Sequence, residues 1–288
     1  MARLSFIGLG VMGYPMAGHL ATAGHAVTVY NRSADKAAAW VAQYGGSRAP
    51  TPAAAADGAD AVFACVGNDD DLRSVTLGPE GAFAAMHPGA LFVDHTTVSA
   101  EIARELATAG EPSGLSVLDA PVSGGQAGAV NGQLTIMCGG TPQAFAAAEP
   151  LMAAYAKRSG HMGPAGSGQL TKMVNQIAIA GVLEGLAEAV HFALAAGLDA
   201  SAVIDVISKG AAQSWQMDNR AGTMAARQFD FGFAVDWMRK DLGLVLGEAK
   251  RLEISLPATA LIDQFYGDVQ AMGGRRQDTS ALIRRFRP

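Results

Sequence analysis

Hydrophobic positions along this chain follow two rhythms. In the first half, Leu4–Ile7, Ala26–Tyr30, Ala61–Val66, Leu91–Asp94, Ser116–Asp119 and Leu134–Cys138 are short apolar runs and read as buried strands. Between them Met12–Ala23, Ala34–Gln43 and Ala100–Ala109 carry apolar residues at helical spacing, and Ala53–Ala56 reads as a helix start after Pro52. Strand–helix alternation of this kind predicts right-handed crossovers and a parallel sheet covered on both faces. The rhythm changes at Gly160–Gly168, a glycine-rich joint, after which almost everything reads as helix. Gln169–Leu194 would be about 39 Å long at 1.5 Å per residue, and Ala200–Lys209, Val235–Arg251 and Ala258–Met272 follow it.

Length and composition allow two domains of ordinary size or one large one. The chain has 288 residues, half of them hydrophobic and only 16% charged, which is ample for well-buried cores. A net charge of −5 points to neither nucleic acid nor an anionic membrane as partner, so an anionic ligand needs a local cationic site. Cys65 and Cys138 form no CxxC pair; their spacing predicts buried thiols in a reducing compartment and leaves a single bridge open. Met1-Ala-Arg3 runs straight into a strand pattern with no charged lead into an apolar segment. The apolar stretch Ile177–Leu198 carries Glu184, Glu188 and His191, and so reads as a buried helix of a cytoplasmic protein rather than a membrane span. So long an apolar helix also predicts a homodimer or homotetramer.

The first candidate site is Gly8-Leu9-Gly10-Val11-Met12-Gly13, between the strand Leu4–Ile7 and a helical pattern. A lone GxGxxG is a tight turn as often as a site, but this context matches the mechanism. The first glycine permits the turn, the second lets backbone approach a pyrophosphate, and the third lets helix and strand pack closely. The helix N-terminus then offers unpaired N–H groups to the phosphates. The expected fold is α/β: an N-terminal Rossmann-type parallel sheet domain over residues 1–165, followed by an all-α C-terminal domain over 166–288 that begins with the long interdomain helix.

The second strand ends Tyr30-Asn31-Arg32-Ser33, where an NAD-selective site usually has an acidic residue for the ribose 2′-hydroxyl. A neutral Asn31, the guanidinium of Arg32 and the hydroxyl of Ser33 favour NADP, with NAD possible, because Arg32 suits a 2′-phosphate. The plain alternative is a solvated arginine at a strand end. Val66, closing its strand run, is a further expected cofactor contact.

Two segments bear on the substrate. Asp119-Ala-Pro-Val-Ser123-Gly124-Gly125 leaves a strand into exposed backbone, which is either an ordinary turn or a small anion nest suited to a carboxylate. Gly166-Ser-Gly168-Gln-Leu-Thr-Lys172-Met-Val-Asn175-Gln176 places Lys172, Asn175 and Gln176 at i, i+3 and i+4, on one helix face. A lysine early in an apolar helix either has partners and a task or snorkels out beside the joint.

These motifs, together with Phe6-Ile-Gly-Leu-Gly-Val-Met-Gly-Tyr-Pro-Met-Ala17 and Lys240-Asp241, resemble the β-hydroxyacid dehydrogenase family over nearly the whole chain. That family includes 3-hydroxyisobutyrate dehydrogenases and the tartronate, glyoxylate and succinic semialdehyde reductases. The resemblance implies reversible hydride transfer between a nicotinamide and a short carboxylate substrate, with Lys172 as general acid/base and Asn175 orienting the substrate. Such chemistry near neutral pH requires a depressed lysine pKa, which apolar surroundings could provide. It further implies that Ser123, Gly124 and Gly125 clamp the carboxylate and that Phe233 lines the pocket. Asp241 would steady the site, and Thr96 and Lys240 would touch the cofactor. Where many members carry a second asparagine, this chain has Gln176, whose reach is longer.

Rival readings are weaker. An imine reductase shares the fold but typically replaces the lysine, and a catalytically silent dinucleotide-binding protein would be expected to lose it. The Tyr-x-x-x-Lys pair of short-chain dehydrogenases is missing. His25, His95 and His191 form no metal-ligand set, and Gly67–Asp71 reads as a loop and helix start near the cofactor rather than a calcium site.

Overall fold

The computed structural model describes residues 1–287, and the chain falls into two compact units, one from Met1 to Lys172 and one from Met173 on. The first unit opens with β1 (Arg3–Ile7), α1 (Gly13–Thr22), β2 (Ala26–Tyr30), α2 (Ala34–Tyr44) and the short β3 (Ser47–Arg48). It continues with α3 (Pro52–Ala56), β4 (Ala61–Ala64), α4 (Asp69–Leu77), β5 (Leu91–Asp94), α5 (Ala100–Gly110) and β6 (Ser116–Asp119). Then come β7 (Val122–Ser123), α6 (Gly125–Val130), β8 (Leu134–Gly140), α7 (Pro142–Met152) and β9 (Ala156–Gly163). The division between the units falls within α8 (Ser167–Ala195).

Side chains along the central strands alternate between two cores, as period two requires of a sheet buried on both faces. Leu4, Phe6, Phe63 and Val93 face one core, formed with Met16 and Leu20 of α1, Trp40 of α2 and Ala148 of α7. Ile7, Val62, Ala64 and Phe92 face the other, formed with Ala56 of α3, Leu72 of α4 and Ile102 of α5. The sheet order is β3-β2-β1-β4-β5-β6-β8-β7, with β9 on β8. Strand order therefore reverses between β1 and β4, and a crevice at the carboxyl ends of those strands is where such sheets bind ligands.

The sheet is mostly parallel, as expected, with antiparallel pairing at β8. Strands β3 to β6 and β9 pair in parallel, but β8 runs antiparallel to both β6 and β7. The chain between β7 and β8 holds only the six-residue α6, too little for the crossover of a dozen or more residues that parallel pairing needs. The glycine-rich joint also differs: its Gly160–Gly163 portion closes β9, and only the turn to Ser167 is irregular.

The second unit consists of the rest of α8 with α9 (Ala200–Ile207), α10 (Trp215–Ala225), α11 (Val235–Arg251) and α12 (Pro257–Ala271). Its core unites Leu183, Leu186 and Val190 with Met224, Met238, Leu242, Tyr266 and Leu282. By length and composition alone α8 passes for a membrane-crossing helix. Yet Gln169, Lys172, Gln176 and Glu184 are among its buried residues, so the side it buries is not purely apolar.

Candidate active site

The glycine turn is built by close approach. Gly8 has φ of +97°, donates its N–H to Tyr30 O at 2.8 Å, and a Cβ there would lie 2.3 Å from Cys65 O. A Cβ on Gly13 would lie 1.9 Å from Gly8 O, whereas one on Gly10 would meet nothing within 4 Å. The outer glycines thus allow strand, turn and helix to touch, and the middle one leaves room for a ligand. Side chains of Thr51, Asn68, Ser99 and Thr141 cap α3, α4, α5 and α7. At α1 the N-cap Met12 makes no such bond and the first turn holds no acid, so neither the helix's own cap nor its first turn answers the positive end of the dipole. These residues fit a dinucleotide pyrophosphate, with exposed Val11 at the lip.

Parts of that set are engaged within the protein. Asn31 braces the turn: its Oδ1 accepts the Leu9 N–H at 2.9 Å and its Nδ2 donates to Ser33 O at 3.1 Å. The Leu9 N–H is thus taken up inside the turn. The Arg32 side chain is 90% exposed, with Nη1 3.5 Å from Asp71 Oδ1 on the first turn of α4. Asp71, part of the run read only as a loop and helix start, is a competitor for the guanidinium that sequence reasoning missed. Ser33 is exposed ahead of α2.

Val66 and Thr96 meet at the ends of β4 and β5. The Val66 N–H donates to Thr96 Oγ1 at 3.0 Å, and the Thr96 N–H donates to Asp94 Oδ1 at 2.9 Å. Next to Thr96, His95 is buried, with Nδ1 2.7 Å from Ala120 O and Nε2 2.8 Å from Tyr155 Oη. Burial holds its pKa down at about 4, against the pull of the Ala120 carbonyl, so the ring is neutral at pH 7. A neutral ring has one donor and one acceptor, which fits Nδ1–H donating to Ala120 and Nε2 accepting from Tyr155.

The start of α8 is held from β6. Asp119, only 4% exposed, accepts the Gly166 N–H on Oδ1 at 2.8 Å and the Gln169 N–H on Oδ2 at 2.9 Å. It caps the helix from 47 positions away in sequence. A side chain at Gly168 would strike Met137 O and Asp119 O, at 2.5 and 2.6 Å, so the approach depends on glycine. Burial pushes the Asp119 carboxyl up to about 6, while the backbone donors pull it down. Lys172 lies one turn further along and is 7% exposed, a buried rather than snorkelling lysine. On the carboxylate-clamp segment, Ser123 sits in β7 opposite Thr135, and Gly124 and Gly125 are exposed with φ of +130° and +61°.

Within the second unit, four neighbouring groups form one polar chain. Asn175 Nδ2 donates to Gln176 Oε1 at 2.8 Å, Gln176 Nε2 donates to Asp241 Oδ2 at 2.7 Å, and Asp241 Oδ1 lies 3.2 Å from Lys240 Nζ. Gln176, the longer amide at the position where many members carry asparagine, is the link that spans these groups. Phe233 is half-buried against the unit's core, and its N–H donates to Asp278 Oδ2 at 3.0 Å. Among the described residues no cluster of His, Cys, Asp and Glu could hold a metal.

Two family models cover this architecture end to end. One, described as the NAD binding domain of 6-phosphogluconate dehydrogenase, matches residues 3–163; the other, described as NAD-binding of NADP-dependent 3-hydroxyisobutyrate dehydrogenase, matches 166–286. The chain belongs to the β-hydroxyacid dehydrogenase family. It is 62% identical over 286 residues to an uncharacterized oxidoreductase of Shewanella frigidimarina, covering 99% of this chain and 98% of that one. It is 34% identical to the 2-(hydroxymethyl)glutarate dehydrogenase of Eubacterium barkeri, covering 98% of this chain and 94% of that one. A structure of Mycobacterium tuberculosis 3-hydroxyisobutyrate dehydrogenase with L-serine aligns over 100% of both chains at 31% identity, with a TM-score of 0.90. As a β-hydroxyacid dehydrogenase the protein binds a nicotinamide cofactor, and the Rossmann-type domain followed by a helical one is the family's architecture.

Proposed function

We propose that this protein reversibly oxidises a short β-hydroxy acid to the corresponding semialdehyde acid, with NADP as the favoured coenzyme and Lys172 as general acid/base. The observation that carries the reading is a buried lysine, 7% exposed, one turn along a helix whose start is fixed to the sheet by Asp119. A lysine held in a fixed position on a helix can give a proton to a carbonyl oxygen or take one from a hydroxyl, the work of a general acid/base. The bound nicotinamide supplies or accepts the hydride. In reduction, Lys172 would give the proton to the oxygen that becomes the hydroxyl; in oxidation, the neutral amine would take it back. Ser123, Gly124 and Gly125 are assigned to the substrate carboxylate and Asn175 to its orientation. Thr96 and Lys240 are assigned to the cofactor, as are Gly8 to Gly13.

The NADP preference rests on Arg32 standing where an acidic residue selects NAD. The test is turnover of C3–C4 semialdehydes, glyoxylate and their hydroxy acids with both coenzymes, in the wild type and in Lys172→Ala. Loss of kcat by about a hundredfold or more with NADPH binding retained is expected for a lost general acid/base. A Lys172→Ala protein of undiminished kcat would refute the assignment.

A further inference from the structure

Gln169 is entirely buried, and every polar group of its side chain and its N–H is engaged with a specific partner. Its Oε1 accepts the Val98 N–H at 3.1 Å and its Nε2 donates to Thr96 O at 2.8 Å. Its own N–H donates to Asp119 Oδ2 at 2.9 Å. A buried amide is costly unless both its ends are bonded, and a side chain that only filled space here would be better served by Leu or Met. Both ends of this one grip the backbone of the same short segment, Thr96 to Val98. Two parallel bonds to one segment fix rotation as well as distance.

That segment is already tied to the cofactor crevice. Thr96 Oγ1 accepts the Val66 N–H at 3.0 Å, which joins the ends of β4 and β5. On the other side, Gln169 and Lys172 are three residues apart in α8, so they share a helix face one turn apart. A single line of hydrogen bonds therefore runs from the edge assigned to the cofactor to the turn below the assigned proton donor.

We propose that Gln169 is a positioning residue that sets the register between Lys172 and the Thr96–Val98 segment, so that proton transfer at the oxygen and hydride transfer at the carbon meet at one substrate carbonyl. This rests on the assignment of Lys172 made above. Misplacement of a catalytic group by about 1 Å can cost a hundredfold in rate, so the coupling acts on kcat rather than on binding.

Gln169→Met keeps the volume and removes both side-chain bonds. It is expected to fold and to hold NADPH with a Kd within about threefold of wild type, while kcat falls about tenfold or more. The primary isotope effect on kcat with NADPH deuterated at the transferred position should rise, as hydride transfer becomes rate-limiting. Gln169→Glu supplies a second readout that a packing role would not move. Protonated, the acid again offers one acceptor to Val98 and one donor to Thr96; ionised, it sets an oxygen against the Thr96 carbonyl. Its kcat relative to wild type should therefore climb as pH is lowered. A wild-type kcat in Gln169→Met, or a pH-independent ratio in Gln169→Glu, overturns the proposal. Amide hydrogen exchange at Val98, expected to speed up at least tenfold in Gln169→Met, needs no substrate. Should the wild type turn over none of the substrates tested, the proposed function fails and exchange decides this inference alone. Unchanged Val98 exchange would then overturn it.

Discussion

Replacing Asp119 by Asn removes a charge from the capped start of α8 and leaves the shape almost unchanged, so its effect can be worked out from opposing quantities. The carboxylate accepts N–H groups from Gly166 and Gln169, at 2.8 and 2.9 Å. Burial nevertheless raises its pKa from 3.8 to about 6. The folded protein therefore holds a proton that the unfolded chain releases between pH 4 and 6. Asp119 contributes most to stability below about pH 4, and that contribution is lost as pH rises through about 6. At about 1.4 kcal/mol per unit the loss approaches 3 kcal/mol at neutral pH. Asparagine escapes that loss, but it turns an NH2 toward one of the two backbone donors and forfeits a charge-assisted bond of about 1.5–3 kcal/mol. The two terms nearly offset at pH 7, so Asp119→Asn should lie within about 2 kcal/mol of wild type there. On acidification to pH 4 the wild type should gain about 2–3 kcal/mol relative to the variant. Denaturant unfolding of both proteins from pH 4 to 8 measures the difference, in which all shared titrating groups cancel. A flat difference would refute the reasoning. One of opposite slope would show that the backbone donors outweigh burial and hold the carboxyl below its ordinary value.

Two more outcomes follow from single side chains. Arg32→Ala should lower kcat/KM for NADPH about 10- to 100-fold, the worth of a charge-assisted contact to a 2′-phosphate, while NADH changes little; equal losses with both coenzymes would remove Arg32 from selectivity. His95 behaves with the sign opposite to Asp119: its pKa is depressed from 6.5 to about 4, so the stability it contributes is present above about 6.5 and lost as pH falls through 4. The stability advantage of wild type over His95→Gln should shrink by about 3 kcal/mol between pH 7 and 4, read by the same unfolding experiment, and a constant advantage would contradict the buried neutral ring.

Much of the scaffold was legible because its signals are local. Strands β2, β5 and β6 and helix α11 occupy the residues that periodicity assigns them, and the glycine turn sits where a strand meets a helix. What escaped lacks a local signature. Strand β9, Ala-Lys-Arg-Ser-Gly-His-Met-Gly, has no alternation, because it is only partly buried and owes its conformation to pairing with β8. The antiparallel turn of β8 against β6 follows from how little chain separates β7 from β8, not from the residues of the strand itself.

The polar residues of α8 show the same limit more sharply. An apolar helix that carries Gln169, Gln176 and Glu184 on buried positions states in its sequence that each must have a partner, since an unpaired buried polar group is costly. It does not say which partner. Gln169 finds Val98 and Thr96, 71 and 73 positions away; Gln176 finds Asp241, 65 away; Glu184 finds Arg285, 101 away at 2.8 Å. Helical spacing reports neighbours three and four residues apart, which is why it could put Lys172, Asn175 and Gln176 on one face. It had no means of ranking Gln176 above a passive amide or of noticing Gln169 at all. A buried glutamine on an otherwise apolar helix is therefore a better guide to where a site is held together than to what the site does, and the substitutions at Gln169 measure that difference directly.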